Sequence, residues 1–258
     1  MTAGAIVYLE DVTVDYDGFK ALNRLNFYMD RRELRVVIGP NGAGKTTLLD
    51  VISGRVKPAS GRVIFGHHTD LVPLRENDIV ALGVGRKFQT PSVFVNLTVW
   101  ENVDLSLRRA SKGVFATLLD RRPGAECGRT DAVLETVGLG AKARSLAGAL
   151  SHGEKQWLEI GMVMAQDPEL LLVDEPVAGM TEAETARTGE LLAAIAADRS
   201  VLVIEHDMDF VRQLARKVTV LHQGAVLCEG EVGQIQQDAR VREVYLGQSR
   251  KGAADAVR

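Results

Sequence analysis

The sequence predicts an α/β fold, a mainly parallel sheet covered by helices on both faces. Near-continuous apolar runs stand at 34–38 (LRVVI), 169–173 (ELLLV) and 201–205 (VLVIE). Strands buried on both faces need such runs, because neither side meets water. Each run is followed by a segment of helical pattern, the alternation that builds parallel strands with crossover helices. The composition is globular: 46% apolar and 25% charged residues, close to the average for folded domains.

The elements follow in order. Residues 5–14 (AIVYLEDVTV) are β-rich and partly alternating, and 34–38 is a short strand ending in glycine. Residues 45–53 (KTTLLDVIS) read as a helix stopped at Gly54; 61–65 and 84–89 read as further strands. Residues 98–109 form a helix, with Thr98 and Glu101 as a capping box that satisfies its first free amides. Residues 111–130 carry little pattern and include Pro123 and Gly124, so they read as an insert or loop. Helices follow at 131–138 and 152–166, then the strand at 169–173 and a helix at 182–197. The strand at 201–205, a helix at 207–216 and two short strands about Gln223-Gly224 complete the pattern.

Several function classes are disfavoured by composition. The chain has 258 residues, one large domain or two small ones, with a formal net charge of −3. That balance does not favour a general nucleic-acid binder. Two cysteines, Cys127 and Cys228, exclude a disulfide framework and fit a reducing compartment. No run approaches the roughly 18 to 20 apolar residues of a membrane span, and the first residues lack a basic segment leading into an apolar one. The expectation is a soluble, cytosolic chain that meets a membrane only through a partner.

The strongest chemical signal is GPNGAGKT, which matches G-x-x-x-x-G-K-[ST] between a predicted strand and a predicted helix. Gly39, Pro40, Asn41, Gly42, Ala43 and Gly44 form a loop whose amides can curl around phosphates. Lys45 adds a point charge and Thr46 a hydroxyl for Mg²⁺, with Thr47 behind them at the positive end of the helix. A second signal, ELLLVDEP, ends a buried strand in Asp174 and Glu175. Ligands bind at that edge of an α/β sheet. Asp174 would hold Mg²⁺ through water, and Glu175 would act as general base toward the attacking water. Together the two motifs predict a nucleoside triphosphate with Mg²⁺.

A third segment, LSHGEKQWLEI (150–160), resembles the signature loop of the ABC-type ATPases, usually L-S-G-G-Q. Leu150, Ser151 and Gly153 match, while His152 and Glu154 replace glycine and glutamine. Ser151 with Glu154 is also a capping box, so the segment is a helix start on either reading. The resemblance spans roughly 5–247, leaving 248–258 as a tail. It implies a single domain: a P-loop NTPase (RecA-like) core, an antiparallel β-subdomain and a helical subdomain at about 90–165. It implies ATP and Mg²⁺ as ligands, with Gln89 sensing the metal and touching a membrane partner. His206 takes the place of the switch histidine at the γ-phosphate, and Tyr16 that of the aromatic stacked on adenine, with Phe19 the competing ring.

The resemblance also implies partners. A second ATP-binding subunit, identical or paralogous, would bring its Ser151-Gly153 surface to the nucleotide. Membrane permease subunits and, indirectly, a solute-binding protein would complete an importer, with this chain peripheral on the cytoplasmic face. PVAGMT after Glu175 and the terminal VREVYLG look like the urea and branched-chain amino acid importer branch. GRKFQTPSVF and SHGEKQWLEIGM look closer to the urea cassettes, so urea is the expected solute and a branched-chain amino acid the alternative. A soluble ABC-type ATPase acting on nucleic acid or ribosomes is the alternative from another class. Such proteins usually carry a long coiled coil or tandem cassettes, and this sequence shows one cassette with no sustained heptads and no basic patch. The guanine-reading N-K-x-D motif of GTPases is also missing.

Overall fold

The structure is a computed structural model and describes residues 4–88, 92–111 and 124–244, with backbone only at 108–111 and 124–127. A four-stranded antiparallel sheet has the order β2-β1-β4-β5. Its strands are β1 (Ala5–Tyr16), β2 (Phe19–Asp30), β4 (Ser60–Phe65) and β5 (Thr69–Asp70). A six-stranded sheet has the order β10-β9-β3-β8-β7-β6. It holds β3 (Leu34–Ile38), β6 (Val84–Lys87), β7 (Leu170–Asp174), β8 (Ser200–Ile204), β9 (Lys217–His222) and β10 (Ala225–Gly230). All its pairings are parallel except the β9–β10 hairpin.

The apolar runs are explained by two cores, one on each face of the six-stranded sheet. Val36, Ile38, Leu171, Val173, Val201 and Val203 enter one core, shared with the helices that follow. Val37, Leu170, Leu172, Leu202 and Ile204 enter the other, shared with the antiparallel sheet and α1 (Lys45–Ile52). Alternate residues of each strand therefore pack on opposite faces, and both faces are dry.

Three helices lie together: α3 (Val99–Ser111), α4 (Gly124–Thr136) and α5 (His152–Met164). Thr98 and Glu101 form the expected box: Thr98 N donates to Glu101 Oε2 at 2.8 Å, and Glu101 N to Thr98 Oγ1 at 3.1 Å. The remaining helices are α2 (Glu76–Ala81), α6 (Glu182–Ala196), α7 (Met208–Leu214) and α8 (Val232–Gln237). Among the described residues no helix is long and apolar enough to cross a membrane.

The structure departs from the sequence reading at several elements, and β5, α2 and α8 had no counterpart in it. Residues 124–130, read as part of a loop, are the first turns of α4; residues 112–123 and the tail at 248–258 lie outside the described residues. The long strand β2 had no counterpart in the sequence reading. It pairs with β1 across a two-residue turn, Asp17-Gly18, with φ of 51° and 93°. Positive φ at both positions is what a twisted hairpin requires of its turn.

Candidate functional site

Three neighbouring strands, β3, β8 and β7, bring their carboxyl ends to one edge of the sheet. There the chain turns from β3 into the loop Gly39–Gly44 and then into α1. Gly39 has φ of 152°, and a Cβ there would stand 2.3 Å from the Leu221 carbonyl oxygen. Gly44 has φ of 101°, with Ala21 O only 2.5 Å from a would-be Cβ. Neither position accepts a side chain, so the glycines of the motif are required by the turn itself. Asn41 and Gly42 are exposed, while Pro40, Ala43 and Gly44 are buried.

Lys45 is buried, and its ammonium donates to Gly39 O at 2.6 Å and Pro40 O at 3.1 Å. Burial pulls its pKa below the usual lysine range, against the charges of Glu175 and Asp174. The Thr46 residue is exposed at the start of α1, with Thr47 half-buried beside it. That helix has no side-chain cap and no acidic residue in its first turn. Its free amides and positive end therefore stand open to an anion, which fits phosphate oxygens.

Asp174 ends β7 and is 4% exposed. Burial pushes its carboxyl up, opposed by the Arg86 guanidinium. Arg86 Nη2 lies 3.9 Å from Asp174 Oδ2, and Nη1 is held by Asp50 Oδ1 at 2.7 Å and Ser53 Oγ at 2.9 Å. The Thr46 hydroxyl and the Asp174 carboxylate are hard oxygen donors, the chemistry that Mg²⁺ takes. Glu175 follows at φ of 45°, left-handed backbone for a side chain with a Cβ. Its amide donates to Ile204 O at 3.0 Å, so the end of β8 fixes the turn.

His206 Nδ1 lies 3.5 Å from Glu175 Oε1. A residue that sequence reading passed over orders this corner. Glu205 is 1% exposed and accepts from the amides of His206 at 2.9 Å, Asp207 at 3.3 Å and Val177 at 3.4 Å. Burial pushes its carboxyl up while these donors oppose the shift. The only sequence signal was an acidic residue closing an apolar strand. Lys87 was also missed: it is fully buried at the end of β6, beside the strand that carries Asp174.

A cleft of about 700 Å³ adjoins the loop, lined in part by Pro40, Asn41, Phe19, Gln223 and Arg240. Phe19, 61% exposed, is on its wall, whereas Tyr16 is not. The predicted Gln89 lies outside the described residues. Ser151, Gly153 and Glu154 stand at the start of α5, beside α6. Glu154 Oε2 accepts from Ser151 N at 3.0 Å, and Glu154 N donates to Ser151 Oγ at 3.2 Å. Replacing glutamine by glutamate in the signature thus retains the cap, and Lys142 Nζ pairs with the added charge.

A family model described as ABC transporter matches residues 22–178, a span that includes the phosphate loop, the signature segment and the acidic pair. This chain belongs to the ABC transporter family. It is an ATP-binding cassette, an ATP hydrolase of the kind that drives transport. It is 35% identical over 243 residues to the high-affinity branched-chain amino acid transport ATP-binding protein LivG of Escherichia coli, covering 91% of this chain and 94% of that one. It is 31% identical to the corresponding protein BraF of Pseudomonas aeruginosa, over 95% of this chain and 98% of that one. The solved ADP conformation of MJ1267, an ATP-binding cassette of an ABC transporter, matches with a TM-score of 0.84 and 27% identity. That match covers 94% of this chain and 99% of the other. The cassette fold expected from the sequence is therefore present, including its antiparallel sheet and helical parts.

Proposed function

We propose that the cassette energises uptake of a small solute through separate membrane permease subunits. It works on their cytoplasmic face, paired with a second ATP-binding subunit and served indirectly by a solute-binding protein. The observation that carries this reading is the convergence of the Gly39–Thr46 loop, Asp174, Glu175 and His206 on one sheet edge. In it Lys45 leaves its two carbonyls for phosphate oxygens. Thr46 and Asp174 hold Mg²⁺, which neutralises phosphate charge when bound, and Gln89 completes that set. Glu175 draws a proton from the attacking water, and His206 stands at the γ-phosphate beside it. Ser151 and Gly153 serve the nucleotide of the second subunit.

The relatives named for branched-chain amino acid transport support that solute class over urea as the first reading. Urea is the second reading, supported by GRKFQTPSVF and SHGEKQWLEIGM in this sequence. The deciding experiment is uptake of labelled leucine and labelled urea by cells with and without this chain. Loss of leucine uptake alone supports the first reading, and loss of urea uptake alone reverses the order. Loss of neither removes both.

A further inference from the structure

Ser151 has one hydroxyl proton, and in this structure Glu184 receives it. Ser151 Oγ donates to Glu184 Oε1 at 2.9 Å. The other oxygen of the same carboxylate accepts from the Thr181 amide and hydroxyl, each at 3.0 Å, and so caps α6. One side chain thus spans the starts of two helices. Gly153 makes room for it: a Cβ there would stand 2.6 Å from Glu184 Cδ. The neighbouring His152 Nε2 lies 3.1 Å from the carbonyl oxygen of Ala178, in the turn just after Glu175. Farther along the same helices, Trp157 Nε1 donates to Thr188 Oγ1 at 2.9 Å. The signature segment and the loop behind the general base are therefore fastened together within one chain.

We propose that Glu184 is a positioning residue that holds the Ser151 proton while the chain is separate. It must yield that proton before a phosphate oxygen from the second subunit can take it. The inference rests on the reading above that Ser151 meets the nucleotide of the other subunit. A hydroxyl donates one hydrogen bond at a time. A carboxylate is a stronger acceptor than a neutral carbonyl, and its charge repels an approaching phosphate. Release of Ser151 leaves the bonds of Thr181, which go to the other carboxylate oxygen, in place.

The test uses the complex assembled with its membrane subunits. Glu184→Gln keeps an acceptor for Thr181 but removes the charge. With its single acceptor oxygen on Thr181 it turns an amide N–H, which cannot accept, toward Ser151. The KM for ATP should fall by about 3- to 10-fold, the scale of one net hydrogen bond taken from the Ser151 hydroxyl, with kcat within about twofold. An unchanged or raised KM overturns the proposal, and a merely structural cap predicts that result together with a lower melting temperature. Ser151→Ala should raise the KM and abolish the effect of adding Glu184→Gln. Persistence of the Glu184→Gln effect without the serine hydroxyl also overturns it. A Ser151→Ala complex with parental KM and kcat instead removes the phosphate reading of Ser151, a failure distinct from that of Glu184.

Discussion

Lys45 closes its own loop by donating to Gly39 O and Pro40 O. Lys45→Ala should therefore lose nucleotide affinity itself, by at least about tenfold, since a buried charge-assisted contact is worth more than 1.4 kcal/mol. Nucleotide titration by calorimetry checks this; unchanged affinity contradicts the cradle. Glu159 on α5 offers a second test at this scale. It is 5% exposed, faces the buried Lys87, and accepts from Ser92 N at 3.4 Å. Burial pushes its carboxyl from 4.5 up to about 7. Between those values the folded chain holds a proton that the unfolded chain has released, so stability falls as pH rises through the window. Glu159→Gln should flatten that fall in urea midpoints measured from about pH 5 to pH 7. Legibility at this scale followed spacing. Lys45, Asp174 and Glu175 were readable because contiguous motifs carry them. Glu205, Lys87 and Glu184 were not: Lys87 and Glu184 face partners distant in sequence, Glu159 and Ser151, and Glu205 gathers the amides of His206, Asp207 and Val177 without a contiguous motif to mark it.

The elements of the parallel sheet were legible because burial on both faces leaves a continuous apolar run. The strand β2 was not, although Asp17-Gly18 is a hairpin signal. Its inward residues Leu22, Leu25, Phe27 and Met29 break strict alternation where Arg24 takes φ of 49° and the register shifts against β1. The start of α4 was obscured for a different reason: Gly124 and Gly128 lower its helix propensity, and packing of its later turns supplies the stability. The short helix α7, which follows His206, depends on its cap. Asp207 Oδ1 accepts from Asp209 N at 2.9 Å and Phe210 N at 3.1 Å. Asp207→Ala should cost about 1 kcal/mol of folding stability, read from urea unfolding, with Phe210 remaining in the core.

At the scale of the whole molecule, the cassette gathers phosphate loop, acidic pair and His206 at one sheet edge. The signature start is built against α6 instead. Among the described residues, no hydrogen bond or ion pair joins Ser151–Glu154 to the loop at Gly39–Thr47. That separation is why a second subunit is invoked, and Ser151→Arg should prevent the ATP-dependent association that sedimentation would detect. The central claim is that this edge hydrolyses ATP with Glu175 as the base. Its most direct measurement is ATP binding and steady-state turnover on the same Glu175→Gln complex. The account predicts ATP affinity within a few-fold of the parent and turnover lower by about 10² to 10⁴. Turnover equal to the parent, with ATP bound, would contradict it.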